Sequence, residues 1–410
     1  MTARLETTAI SIQNSRVAIR ALLLLVIATG VFLRIYPTAK ISRMGVDELY
    51  YAWNVAHLNS AGILHYPTLG ARYVSEQAQT PIAVIPPTRV TFIATSYFWR
   101  KIFGTGSIAA LRAVACLGSV FTLLLSVLLI YRARGETWAL GFAALMSFAP
   151  MQIQAAQRAY IDGFFTLIAT ATLWLLWENL KKPDHRFLPW YYGGSLALLV
   201  LTKENAAFVL TGIAAILVFH RWLKVGQLTR STVIATLAGP AMGVLLLTVV
   251  IGGPSILIRT FDLNISKAYD TAYVVQNGDG PWFRYILDLI EMSPLTTLLA
   301  IAGLVQFRIQ DSLGRFFAAF FLGSYLIMAN VKYGMSLRYA EIWAAPLCWF
   351  ALLQIVSLAK FARHRRYLLI PVIIALLCLI DLRQYDLYFV QNGVYDPSPR
   401  EMLQHLNILK

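Results

Sequence analysis

Apolar runs recur along this chain, each close to the roughly 20 residues that cross a bilayer. That repetition limits the possible folds more than any other feature. The runs lie near 18–36, 109–131, 138–156, 161–180, 187–203, 205–221, 231–252, 294–308, 314–332, 339–358 and 367–382. Of the 410 residues 13% are charged and 58% hydrophobic, whereas ordinary globular chains carry about 25% charge. A soluble chain of this length would divide into two or three domains with charged surfaces, and this one lacks the charge to cover them. The expected class is an all-α polytopic membrane protein with about eleven transmembrane helices.

A net charge of +15 does not signal nucleic acid here. The cations fall in small groups between apolar runs, such as Arg132 and Arg134, Lys181 and Lys182, and Arg363, Arg365 and Arg366, which is the positive-inside pattern. It places the short loops 131–137, 181–186, 221–230, 308–315 and 359–366 in the cytoplasm, with the N-terminus inside and the C-terminus outside. The stretch 88–103, with Arg89, Arg100 and Lys101, then stays on the outer face as an interfacial helix; if it were a short span, the basic loops would all face outward. Arg16 and Arg20 precede the first run, but no small-residue cleavage site follows, so it reads as a retained span. Cys116, Cys348 and Cys378 lie inside apolar runs and form no disulfide or metal spacing.

On this reading residues 1–382 form one transmembrane module with two large external segments, 37–108 and 253–293. Residues 383–410 are a short external tail. Its "SPREMLQHL" has capping-box spacing with Pro at the first helical position, suggesting a short helix on the membrane surface. Of the 20 acids, 11 lie in these two segments and the tail, and the sidedness rule does not require this of Asp and Glu.

Four outer turns combine acids with cations. In "MGVDELYYAW", Asp47 and Glu48 lead into aromatics; the structural alternative is a helix cap, with the Asp47 carboxylate on free N–H groups. In "QRAYIDG", Arg158 and Asp162 have the spacing of a helical salt bridge, yet sit between apolar flanks where charge is expensive. In "LTKENAAF", a snorkelling Lys203 leaves Glu204 and Asn205 unexplained. In "KYGMSLRYAEIWAAP", Arg338 has the planar fork that suits phosphate or carboxylate, or anchors the interface. Together they suit a phosphorylated substrate, a carboxylate activating a nucleophile and cations stabilising the leaving group. No P-loop, dinucleotide fingerprint or H-E-x-x-H is present, which argues against a nucleotide substrate.

The segments "GVDELYYAWNVAHLNSAGILHYPTLG", "IPPTRVTFIATSYFWRKIFGTGSIAALRAVACLGSV", "FAPMQIQAAQRAYIDGFFTLIATATLWLLW" and "LLVLTKENAAF" occur in this order. They resemble the GT-C fold glycosyltransferases that use polyprenyl-phosphate sugars, nearest to the protein O-mannosyltransferase and aminoarabinose transferase group. The likeness is good over about 45–208 and weak afterwards, apart from "LRYAEIWAAPLCWF". It implies a GT-C type bundle with juxtamembrane helices in the first outer loop, in a plasma (inner) membrane, and an inverting transfer from a polyprenyl phosphate sugar donor to an acceptor on protein, lipid or glycan. Asp47 would be the general base, with Glu48 and Asp162 orienting base or acceptor. Arg158, Lys203 and Arg338 would offset the donor phosphate, while Tyr50, Tyr51 and Glu204 would support the acceptor. The family often has Lys or His before the Pro-Pro pair; here Ile85 precedes Pro86 and Pro87, and Arg89 is the substitute cation. A divalent metal between Asp47 and Asp162 is conceivable but not favoured, and no other cofactor is implied. The rival from another class is a lipid or glycan transporter or flippase, for which broken helices at the midplane and two similar halves are expected.

Overall fold

A computed structural model describes residues 2–36, 44–305, 312–332, 334–361 and 366–396. Its described elements are helical. The first, α1 (Thr2–Ile35), precedes three helices of the first large connection, α2 (Val46–Ala61), α3 (Tyr66–Gln79) and α4 (Val90–Phe103). The bundle continues through α5 (Ser107–Arg134), α6 (Glu136–Phe148), α7 (Pro150–Gln157), α8 (Ile161–Lys181), α9 (Leu188–Thr202), α10 (Ala206–Leu223) and α11 (Arg230–Ile251). The second large connection is also helical, with α12 (Pro254–Asp270), α13 (Ala272–Asn277) and α14 (Arg284–Met292). Then come α15 (Pro294–Val305), α16 (Ser312–Met328), a 3-10 turn Leu337–Trp343 running into α17 (Ala344–Ala359), and α18 (Arg366–Tyr385).

Among the described residues, each apolar run read from the sequence falls mainly on one of these helices or on a consecutive pair. By length and composition seven of the helical segments can cross a membrane, or eight if the bent pair α6–α7 is one span; α15 and α16 are shorter apolar helices. α9, of 15 residues, falls below the same length. α4 has 14 residues, about 21 Å at 1.5 Å each, too short for a hydrocarbon core of about 30 Å. It packs between α2 and α5. The surface helix expected over 398–409 lies outside the described residues.

Two local features position the site. α6 and α7 meet at 57°, at Ala149–Pro150. Proline lacks the N–H that would take the carbonyl of Met146, and Arg34 of α1 supplies the missing donors. Its guanidinium is 1% exposed and donates to Met146 O (2.9 Å), Ser147 O (3.2 Å), Gly30 O (2.9 Å) and Ser119 Oγ (3.0 Å). A cation buried within the bundle is thereby satisfied by neutral oxygens, and α7 is turned to carry Gln152 and Arg158 toward the site. The second feature is the approach of α5 to α8: a Cβ on Gly118 would stand 2.6 Å from the Phe164 Cα. That spacing sets the start of α8, where Asp162 lies.

The bundle core is continuous from Leu123 and Phe142 to Phe316, Trp343 and Trp349. Outward-facing Leu24 (67%), Leu237 (71%) and Leu379 (65%) are exposed, as expected where lipid rather than water is the solvent. A smaller cluster of Tyr51, Val55, Leu58, Tyr66, Leu69 and Phe92 ties α2, α3 and α4 to α5.

Candidate active site

The four turns singled out from the sequence converge at one end of the bundle. At the first, Gly45 is the N-cap and Glu48 the third helical residue of α2; the Glu48 carboxylate accepts from the Gly45 N–H at 2.9 Å. The cap expected of Asp47 is therefore made by its neighbour. Glu48 is fully buried and also holds the Ala159 N–H (2.8 Å) and Arg158 (3.2 Å). Asp47, whose side chain is 28% exposed, meets Arg338 at 3.0 Å. One of the adjacent carboxylates is locked into the framework and the other faces accessible space.

The helical pair expected between Arg158 and Asp162 does not form. Arg158 closes α7 and Asp162 opens α8, with a break between them. Arg158 turns to Glu48, its guanidinium 4.8 Å over the Tyr395 ring. Asp162 takes Lys203 at 2.5 Å. Lys203 is 2% exposed. Beside it, burial pushes the Glu204 carboxyl up, but Arg89 outweighs this and holds it below its ordinary value. Arg89 bonds both Glu204 and the Tyr51 hydroxyl. Tyr50 lies one residue away, at the mouth of a neighbouring cavity.

Arg338 is the hub. It lies 3.0 Å from Asp47, 4.0 Å from Asp162 and 3.4 Å from Asp396, with its guanidinium 4.7 Å over Tyr160. Among the described residues no group of three or more His, Cys, Asp and Glu could hold a metal. Between Asp47 and Asp162 stands this guanidinium.

Sequence reasoning missed Asp396, Tyr395 and Tyr273; Glu341 belongs to the outer turn marked with Arg338 but was given no role. The segment after α18 folds back, so that Asp396 reaches Arg338 and accepts from Tyr273 of α13 (3.0 Å). The Tyr395 carbonyl accepts from Tyr160 and Gln154 (2.8 and 3.1 Å). Gly45 admits the Tyr395 ring, since a Cβ there would stand 1.5 Å from it. A signal for Asp396 was its place as an acid just past the last span. Nothing in the local sequence linked it to Arg338. Glu341, one helical turn after Arg338 and 3% exposed, accepts from Gln152 at 3.4 Å. It lines a 60 Å³ cavity among α6, α7, α14, α15 and α17.

A second acidic group lies on α14. Burial raises Asp288 to about 7 against the pull of Arg284, and burial raises Glu291 to about 7 as well, reinforced by Asp288.

Known structures decide the architecture. ArnT from Cupriavidus metallidurans, bound to undecaprenyl phosphate, superposes with a TM-score of 0.52 at 15% identity, covering 96% of this chain and 75% of that one. This is the GT-C fold. The oligosaccharyltransferase of Archaeoglobus fulgidus has it too: tethered to an acceptor peptide with the NVT sequon, it gives a TM-score of 0.59 at 15% identity, covering 90% of this chain. With an inhibitory peptide and a dolichol-phosphate, the same archaeal enzyme, AglB, gives 0.53 at 15% identity and covers 94%. The chain spans about half the length of the archaeal protein, 55% and 57% in these comparisons. Within the GT-C fold, residues 87–253 match the family model of dolichyl-phosphate-mannose-protein mannosyltransferases. No curated protein matches the sequence significantly.

Proposed function

We propose that this protein is an inverting glycosyltransferase that moves a sugar from a polyprenyl phosphate to an acceptor nucleophile at the outer face of a plasma (inner) membrane. The observation that carries the reading is the Arg338 hub, which joins the partly exposed Asp47 to Asp162 and to the cations around them. The mannosyltransferase family match over 87–253 and the shared GT-C fold support it.

In this reading Asp47 accepts the acceptor proton as the acceptor oxygen attacks the anomeric carbon. The bond from that carbon to the phosphate oxygen breaks, and polyprenyl phosphate leaves with the electron pair. Base catalysis of this kind contributes about 10²–10⁴-fold. Arg338, with its several donors, takes the developing phosphate charge, aided by Lys203, Arg158 and Arg89. Every one of these cations is already paired with a carboxylate, so the phosphate binds by exchanging partners. Glu48, buried and holding Arg158, is a positioning residue, and Asp162 holds Lys203. Arg338 supplies positive charge between Asp47 and Asp162, which supports chemistry independent of a divalent ion.

The test is sugar transfer by the purified protein from a panel of undecaprenyl-phosphate sugars, wild type against Asp47→Asn. Transfer or donor hydrolysis that falls at least 100-fold in a folded Asp47→Asn protein is the expected result. Equal turnover in the two proteins would remove Asp47 as base. No turnover of any donor would favour the transporter.

A further inference from the structure

The 60 Å³ cavity that Glu341 lines has a wall made largely of apolar side chains, among them Leu145, Met151 and Met292. Gln152 of α7 and Asp381 of α18 line it as well. These three polar side chains are deeply buried, with Gln152 at 1% exposure and Glu341 and Asp381 at 3% each. The transfer chemistry uses none of them.

What they offer the cavity is oxygen. The Gln152 amide nitrogen donates to Glu341 at 3.4 Å, which fixes the orientation of the amide, and its Oε1 has no partner among the described residues. The Thr296 hydroxyl donates to Asp381 Oδ2 at 2.9 Å, while Oδ1 has no partner among the described residues. Buried acceptors in that state are costly.

Charge is also unbalanced. No Lys, Arg or His lines the cavity, and neither carboxylate is in an ion pair among the described residues. A carboxylate taken out of water needs a counter-charge or a proton. Glu341 has Arg338 one turn before it. Asp381 has the Thr296 hydroxyl, so one negative charge is left to be matched.

The chemistry of an occupant follows from these groups. Carboxylates repel an anion, and an oxygen set of this kind suits a hard cation. At about 30 Å³ for each water, the cavity holds about two waters, or one ion with one water. Mg²⁺ keeps several of its waters and does not fit. Ca²⁺ seeks about six to eight oxygens, more than a largely apolar wall presents. A singly charged ion matches both the volume and the charge.

We propose that this cavity binds one alkali cation, held by Glu341, Asp381 and the Gln152 side-chain oxygen. The ion ties the turn that carries Arg338 to α7, which carries Arg158, and to α18. It is a brace under the site and takes no part in bond making. The proposal stands apart from the transferase reading, and its test needs no donor.

Full-length protein in detergent is unfolded by heat in sodium, potassium or choline chloride at equal ionic strength and pH, choline being too large for the cavity. Wild type is expected to melt about 3 °C or more higher in at least one alkali salt than in choline. Equilibrium dialysis with that ion should show a single ion bound per chain. Asp381→Asn keeps the shape and removes the charge, so its melting should not depend on the salt and the ion should not bind. In choline it should melt no lower than wild type. Gln152→Leu removes one ligand, should weaken ion binding by about tenfold, and keeps the test valid if Asp381→Asn does not fold. Equal melting of wild type in the three salts would show that the carboxyls hold their own protons, and would overturn the proposal. An alkali effect that survives both substitutions, or stabilisation by calcium chloride alone, would overturn it too.

Discussion

Two buried arginines show how one side chain serves two ends. Arg34 gives its hydrogen bonds to three backbone carbonyls and a serine hydroxyl; Arg338 spreads over Asp47, Asp162 and Asp396. Carbonyls at a helix break are fixed in place, so no ligand can take the role of Arg34 without opening the elbow. Carboxylates beside a cation can yield to another anion, and the side chains that carry them can turn away. The contrast separates a brace from a docking point. Arg284 of α14 lies between the two, donating to the Asp279 carbonyl at 2.7 Å and pairing with Asp288 at 3.5 Å.

The sharpest way to break the comparison is Arg34→Met. Stranding buried carbonyls costs about 1–3 kcal/mol each, so thermal unfolding should show a loss of about 3–5 kcal/mol, while the folded fraction keeps its kcat. A normal unfolding curve with a lowered kcat would make Arg34 part of the chemistry.

Asp288, the partner of Arg284, gives the next largest effect. Asp288 binds a proton more tightly when folded, at about 7, than an ordinary aspartate at about 3.9. Stability is therefore greatest below the unfolded value and is lost as pH rises from about 4 through 7. The loss should reach about 2–4 kcal/mol, and Asp288→Asn should make that slope shallower in unfolding measured across pH 4–8, leaving the part that comes from Glu291. An unchanged slope would show that Asp288 does not carry the proton.

Arg338→Lys keeps the charge and discards the fork. Losing one charge-assisted hydrogen bond, about 1.5–3 kcal/mol, should lower kcat/KM by about 10- to 100-fold with little change in unfolding. Equal kcat/KM would leave Arg338 a point charge alone.

The smallest effect is expected at Asp396, which competes with an incoming phosphate for Arg338. Its contact with Arg338 is long, at 3.4 Å, and weak pairs contribute about 1 kcal/mol or less, so Asp396→Asn should tighten undecaprenyl phosphate binding by about threefold. Weaker binding would instead make Asp396 a support for the arginine.

The fold was legible because a membrane chain writes each span as an uninterrupted apolar run, and charges near the ends of such runs or in the turns between them are conspicuous. That is why Asp47, Arg158, Asp162, Lys203, Glu204 and Arg338 could all be marked. Their pairing was not legible. Spacing suggested Arg158 with Asp162, but a helix break separates them, and each finds its partner 41 or more residues away. The division between Asp47 and Glu48 was hidden for a related reason. Which of two adjacent acids caps a helix depends on where the helix starts, and the start is set by Gly45 and the Tyr395 ring packed on it. Asp396 was out of reach because its relation to Arg338 exists only after the chain has turned back.

The elbow between α6 and α7 also imposes an order of assembly. The guanidinium that closes it is synthesised with the first span, and the Ser147 carbonyl that needs it appears 113 residues later. Before α5 and α6 are made, the Gly30 carbonyl of its own helix is the one partner of this set open to Arg34. When the elbow arrives, the two liabilities cancel, and the turn carrying Arg158 takes its place above them. The earliest segment of the chain thus serves as a template on which the later half of the site is built.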